Sequence, residues 1–384
     1  MKRIVLINQN SGYLVVDIAN ALANDNFHLS LITGRLVIRT KPLASQVEIN
    51  KIIKYHRNNK LSRLISWFIA FFQTIFILKT KYRNDYLFIY TNPPFNIFLP
   101  LLCKNKFSLM IFDIYPDSLT QMSFFSKKSF IVKYWQKLNR KVFYRADNIF
   151  TLTESMASRL SKYSNGKKII VSNIWSNTEF FKPLLKKSNP FISEHNLEDK
   201  FVILYSGNLG VTHNIEIIPM LASLIKNPNI IFLIIGEGDR QKWLEKEVQR
   251  MGLMNCILLP LLPVDKMPFS FASADLSIVT LSAAASSLSI PSKTFNYMAA
   301  GLPLLCISNE DSELNKLVTE YENGRCFLPQ QINEIINFIT ETNVNSKLLD
   351  RLKVNSLKAS RDFTSNNVDV ISGILKKSLM SNLQ

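Results

Sequence analysis

Apolar residues along this chain come in short continuous runs, separated by polar segments whose apolar positions recur at helical spacing. In the first half the runs are Ile4–Ile7, His28–Thr33, Tyr86–Tyr90, Phe107–Phe112, Asn148–Leu152 and Lys168–Val171. In the second they are Phe201–Tyr205, Ile230–Ile235, Cys256–Leu259, Leu276–Leu281 and Leu304–Ile307. Short apolar runs without alternation read as strands buried on both faces, the habit of parallel sheets. Val15, Ile18, Ala19 and Leu22 share one helical face after the first run. In the second half helices are predicted near 214–226, 239–252, 264–273 and 291–300, and residues 345–384 are helical in pattern. Strands alternating with helices predict α/β architecture: two Rossmann-like, doubly wound domains facing a cleft. The polar, proline-bounded stretch Pro183–Pro190 reads as the linker. The expected division is 1–183, 184–365 and 366–384, the last a C-terminal helix for which a return to the first domain is one option.

The helix predicted at 291–300 has both ends marked. Pro291 suits a first helical position, Ser289 a cap, and Gly301 with Pro303 a stop. Helical spacing puts Lys293, Asn296, Tyr297 and Ala300 on one face, and Phe295, Met298, Ala299 and Leu302 on a buried one. Ser292 and Lys293 open the helix, where unpaired backbone N–H groups and a full charge together suit a phosphate. Asn296, one turn on, is placed to reach a neighbouring hydroxyl. The alternative is a connecting helix with a surface lysine.

Other candidates carry similar pairs of readings. Gly207 and Gly210 follow a buried strand, as a phosphate loop or as a tight turn. His213, just beyond, either bonds a phosphate or has no role. Glu237 and Arg240 either pair with each other or leave Glu237 free for a ligand. Asp113 and Asp117 follow an apolar run. One of them, Asp113 first because it ends the strand, orients or deprotonates an acceptor hydroxyl, or both are turn and cap residues.

Composition narrows the class. With 384 residues, 47% hydrophobic and 20% charged, the chain is globular and long enough for two domains. Its four cysteines form no C-x-x-C pair, and its four histidines have no metal-ligand spacing, so neither a disulfide framework nor a metal is expected. G-x-G-x-x-G is absent. Met1-Lys-Arg leads straight into a strand, so no signal peptide is expected. The net charge of +17 is lopsided: residues 1–200 carry 30 Lys and Arg against 12 Asp and Glu, whereas 201–384 carry 16 against 17. That asymmetry calls for an anionic partner of the first half. Nucleic acid is disfavoured because no recognised binding motif is present.

The stretch Leu64–Leu78 has no charge over 15 residues, and Lys51, Lys54, Arg57, Lys60 and Arg63 precede it while Lys79, Lys81 and Arg83 follow. As a helix it would be ~22 Å long, short of the ~30 Å hydrocarbon core. It is therefore expected to lie in the interface of an anionic bilayer, with Lys60, Arg63, Trp67, Phe68 and Phe72 in contact and Trp67 near the headgroups. The alternative is a core helix of the first sheet.

Three segments carry a family resemblance: Tyr205-Ser-Gly-Asn-Leu-Gly210, Gly236-Glu-Gly-Asp-Arg240 and Pro291-Ser-Lys-Thr-Phe-Asn-Tyr-Met-Ala-Ala-Gly301. In order and spacing they resemble the signatures of glycosyltransferase family 4, whose fold is GT-B. Asn92-Pro-Pro94, Asp113-Ile-Tyr-Pro-Asp117 and Asn173–Pro183 resemble the first domain of bacterial members that build surface polysaccharides, the colanic-acid and aminofucose transferases in particular. The resemblance implies transfer of a sugar from a nucleoside diphosphate with retention, with no cofactor or metal. UDP is favoured over GDP, and an amino or deoxy sugar is expected to pass to a lipid-linked polyprenyl-diphosphate saccharide. It implies a cytoplasmic protein, peripheral on the inner face of the cell membrane. Carried over by position, Lys293 contacts the diphosphate, Gly207 and Asn208 let phosphates approach the backbone, and Gly236 and Gly238 lie near the nucleoside. Two family glutamates fall here at Leu288 and Asn296, and the family's Arg and Lys at Asn208 and His213. Leu288 and Asn296 keep open a non-catalytic GT-B partner subunit, and the shared two-domain fold keeps open a sugar-nucleotide 2-epimerase-like enzyme.

Overall fold

The computed structural model describes residues 3–23, 27–39, 41–56, 60–121, 125–126, 128–286 and 290–380, with the backbone only for Lys60, Gln121 and Met380. Ser289, Leu288 and Arg57, singled out above, lie outside the described residues. The chain forms two compact units, one of Met1–Ile174 with Ser365–Gln384 and one of Trp175–Thr364.

The first unit is built on seven parallel strands: β1 (Arg3–Ile7), β2 (His28–Thr33), β3 (Val47–Lys51), β4 (Tyr86–Tyr90), β5 (Phe107–Ile111), β6 (Ile149–Thr151) and β7 (Ile169–Val171). Their order is β3-β2-β1-β4-β5-β6-β7. β1, β4 and β5 are almost entirely buried, as their unbroken apolar sequences require. Helices α1 (Tyr13–Ala23), α2 (Lys60–Thr80) and α3 (Phe130–Arg145) belong to this unit. Ser129 caps α3, its Oγ accepting from Val132 N at 3.3 Å. β3 is absent from the hydrophobic pattern because it is a sheet edge. Only Val47 in Val-Glu-Ile-Asn-Lys is buried, and Glu48 is held by Tyr82 Oη at 3.2 Å and by Lys81.

The second unit has six parallel strands: β8 (Phe201–Asn208), β9 (Ile230–Glu237), β10 (Cys256–Leu259), β11 (Leu276–Thr280), β12 (Leu304–Ile307) and β13 (Gly324–Phe327). Their order is β10-β9-β8-β11-β12-β13. The short edge strand β13 was also hidden from the hydrophobic pattern. β8 and β9 run past their apolar cores, because Gly207 pairs with Gly236 and Asn208 with Glu237. The predicted helix 291–300 is shorter, α4 (Lys293–Ala299), and Ser292 occupies its cap position without a side-chain capping bond. Residues 183–190, read as a linker, are fastened inside this unit. Lys186 Nζ reaches Asp275 Oδ2 at 2.6 Å, and Asn189 Nδ2 donates to Phe269 O at 2.7 Å. The chain then returns, so that α5 (Val368–Met380) packs on α1 and Ser378 Oγ accepts from Asn148 Nδ2 at 2.8 Å.

Candidate functional site

The second sheet reverses its strand order between β8 and β11. Open α/β sheets bind ligands at such a switch point, beyond the carboxyl ends of the strands. Here β8 and β11 pair at Ile203↔Leu276 and Leu204↔Ser277, so among the described residues the end of β8 has no strand partner on that side. Helix α4 takes the place. Ser206 N donates to Tyr297 Oη at 2.7 Å, and Tyr297 Oη donates to Ser206 O at 3.3 Å. One fully buried tyrosine thus satisfies both backbone groups that a neighbouring strand would have used.

This corrects the two-faced reading of α4. All seven of its residues are buried, Lys293, Asn296 and Tyr297 included. Lys293 is only 9% exposed and its Nζ has no hydrogen-bond partner among the described residues. It lies 3.4 Å from the ring centroid of Tyr205, a cation–π contact. Burial without a counter-ion holds its pKa well below the ordinary lysine value. Gly207 makes room for it. Its φ is +140°, and a Cβ there would stand 3.1 Å from Lys293 Cε.

His213 sits in the same neighbourhood, in the turn Val211–His213, where Thr280 Oγ1 donates to its backbone oxygen. Its Nδ1 is buried without a partner among the described residues. Burial, and then the Lys293 charge, pull its pKa down to about 4. The switch point therefore gathers Lys293, His213, Tyr205 and Gly207, two of them nitrogen bases left without partners. A buried cation with no anion beside it is costly, and an arriving anion removes that cost.

The remaining donor candidates divide. Gly236 is buried against β8, and a Cβ on it would fall 1.9 Å from Gly207 O, so its smallness serves the close approach of two strands. Gly210 is buried at the start of the His213 turn, while Asn208, Glu237, Gly238 and Ser292 are exposed around it. Leu209 N donates to Glu237 O at 2.8 Å, tying the two glycine loops together. Glu237 does not pair with Arg240, whose guanidinium reaches Glu216 at 3.0 Å. Asn296 is committed on one side, since its Oδ1 accepts from Ser176 Oγ at 2.8 Å. Tyr205, Tyr297 and Ser176 were missed as site builders: Tyr205 lies in an apolar strand run, Tyr297 was placed on the polar face of its helix, and nothing near Ser176 in sequence points to Asn296. Only the Tyr205-Ser-Gly run placed Tyr205 near the loop.

In the first unit Asp113 stands at the carboxyl end of β5 and is reached by solvent. The chain packed around it raises its carboxyl above the ordinary range. It lines a narrow cavity with Thr91, Ile97, Ile114 and Asn139, whose Oδ1 is buried without a partner among the described residues. Asp117 is occupied structurally, by Lys162 and by the Tyr163 hydroxyl. On α2, Phe68 and Phe72 are exposed, but Trp67 is turned to the protein, stacked on Tyr55 with centroids 5.9 Å apart and its Nε1 buried. Arg63 Nε is buried as well, and the Lys60 side chain lies outside the described residues. The 21-residue α2 also overturns the length argument. At ~1.5 Å per residue it is about as long as a hydrocarbon core.

Residues 187–359 match the family model for glycosyl transferases group 1. A probable glycosyltransferase, WbjE of Pseudomonas aeruginosa, is 26% identical over 82% of this chain and 81% of its own length. A putative colanic acid biosynthesis glycosyl transferase, WcaI of Escherichia coli, is 26% identical over 51% of this chain and 49% of its own. Among solved structures, Anabaena HepE in complex with UDP-glucose superimposes with a TM-score of 0.70 at 14% identity, over 98% of this chain and all of that one. Two doubly wound units, a basic switch point within the matched span and these relatives lead to one conclusion: the chain has the GT-B fold and is a glycosyltransferase, its residues 187–359 resembling the group 1 glycosyl transferases.

Proposed function

We propose that this glycosyltransferase moves a sugar, an amino or deoxy sugar by preference, from a nucleoside diphosphate to a lipid-linked polyprenyl-diphosphate saccharide in surface polysaccharide synthesis. Transfer proceeds with retention, UDP is preferred over GDP, and the protein works at the inner face of the cell membrane. The observation that carries this reading is the Lys293 ammonium, buried over Tyr205 with no counter-ion among the described residues. A donor diphosphate supplies the missing charge. The name of WcaI supports the polysaccharide context, and the UDP-glucose bound by HepE supports the choice of nucleotide.

In this reaction the bond from the anomeric carbon to the diphosphate oxygen breaks. A bond to the acceptor oxygen forms on the same face, and the acceptor proton ends on the departing diphosphate. Negative charge grows on the leaving group, where Lys293 and the backbone beside Gly207 stabilise it. His213 donates to a phosphate oxygen through a ring nitrogen, and Asn296 keeps its Nδ2 for a ribose hydroxyl. Asp113 orients the acceptor hydroxyl.

Calorimetric titration of the full chain with UDP, GDP and their sugars tests the reading. UDP is expected to bind, and Lys293→Met to weaken it tenfold or more. NMR of the product is expected to show the donor's anomeric configuration retained. If no nucleotide binds, or if Lys293→Met binds UDP as the wild type does, the donor assignment is overturned.

A further inference from the structure

Helix α2 is inside out. Its inward row is Ser66, Ala70, Thr74 and Leu78, at four-residue spacing and each at most 1% exposed. The two hydroxyls bond back to their own helix, Ser66 Oγ to Arg63 O and Thr74 Oγ1 to Ala70 O, both at 2.8 Å. Its outward stripe is Leu61, Leu64, Ile65, Phe68, Phe72 and Phe76, exposed by 40 to 69%. A helix of a water-facing surface has the opposite arrangement. A contiguous apolar stripe of this kind marks a contact face.

The stripe continues onto a second element. Phe68 stacks on Phe95 with centroids 4.8 Å apart, and Phe95 stacks on Trp135 of α3 at 5.8 Å. One turn back along α3, Phe130, Ile131 and Tyr134 are exposed by 80, 56 and 53%. Around them Lys128, Lys133, Lys137 and Arg140 are exposed, and neither α2 nor α3 contains an Asp or Glu. Lys54 is exposed ahead of α2 and Lys79 in its last turn.

We propose that α2 and the first turn of α3 form one composite face that seats the protein on an anionic bilayer, with Phe130, Ile131 and Tyr134 as a second anchor. This rests on the reading that the enzyme works at a membrane. It adds the second anchor and the orientation of α2. That helix lies along the surface: Gln9 Nε2 holds Ser66 O at 3.1 Å, and Ile53 N donates to Gln73 Oε1 at 2.8 Å, so its inner face stays on the protein. Charge selects the occupant. Apolar side chains ringed by lysines and free of acids fit acyl chains beneath anionic headgroups. A second copy of the same face would set like charges against each other.

Sedimentation of the full chain with phosphatidylcholine vesicles, with and without phosphatidylglycerol, tests the composite face. The wild type is expected to bind the anionic vesicles, less so as salt rises. Phe72→Glu with Phe76→Glu, and separately Phe130→Glu with Ile131→Glu, are each expected to lower partitioning tenfold or more while UDP binding is unchanged. The serine versions of both pairs are expected to show a smaller loss in the same direction. If the Phe130/Ile131 pair binds vesicles as the wild type does, the second anchor is wrong while α2 docking stands. If the wild type ignores anionic vesicles, both ideas fall. A vesicle-independent dimer that both pairs dissociate would overturn the bilayer in favour of a second copy.

Discussion

At the scale of single residues the decisive one is Lys293. Its ammonium is buried, lies against the Tyr205 ring and lacks a counter-ion among the described residues. A charge in that position weakens the fold. Lys293→Met keeps the length of the side chain and removes the charge. It is expected to melt no lower than the wild type, while kcat/KM falls tenfold to a thousandfold, about 1.5–4 kcal/mol of transition-state stabilisation. The pH dependence follows from the sign of the shift. Because the folded pKa lies below the unfolded value of 10.5, the unfolded chain holds more protons in the window between them. Stability of the wild type therefore rises with pH across that window. The methionine variant lacks this contribution, and denaturant melts across alkaline pH measure the difference.

Among elements, β8 and β9 show how glycine shapes the site from two directions. Gly207 admits the lysine, and Gly236 lets the two strand ends come together. Gly236→Ala would place a Cβ 1.9 Å from Gly207 O, so the two strand ends must separate there. A loss of about 2 kcal/mol or more is expected in urea melts, with weaker UDP binding. Gly373 is the control, since a Cβ there meets nothing within 4 Å and the residue lies inside α5. Gly373→Ala is expected to gain roughly 0.5–1 kcal/mol. Helix α2 teaches a related lesson about elements. Ser66 and Thr74 interrupt its apolar sequence, and they lie on its packed face.

For the molecule as a whole, the chain's return matters most. Val368, Ile371, Leu375 and Leu379 of α5 are buried in the first unit, where α5 packs on α1 from the far end of the sequence. Each such side chain contributes about 1.5–3 kcal/mol on burial, and together they rival the stability of an ordinary domain. Removing residues 365–384 is therefore expected to abolish cooperative melting of the first unit, while the second unit keeps UDP binding. Calorimetry and limited proteolysis read the two units separately. Two undisturbed transitions in the shortened chain would contradict this.

The sequence by itself determined the α/β class, the sequence limits of most strands, the positions of the three signature-like segments and the charge of the first half. Those properties are local: an apolar run long enough to be buried on both faces is a strand in almost any context, and charge is additive along a chain. Only the tertiary structure decided that Lys293 is buried rather than on a polar face, that Tyr297 stands in for a missing strand, and that Asn296 is shared with Ser176. It also decided which side of α2 faces outward, and it revealed the edge strands β3 and β13. Helical spacing says which residues share a face but not what that face meets. A lysine, a serine or a tyrosine is polar in composition tables and buried in a fold whenever a neighbour distant in sequence closes over it.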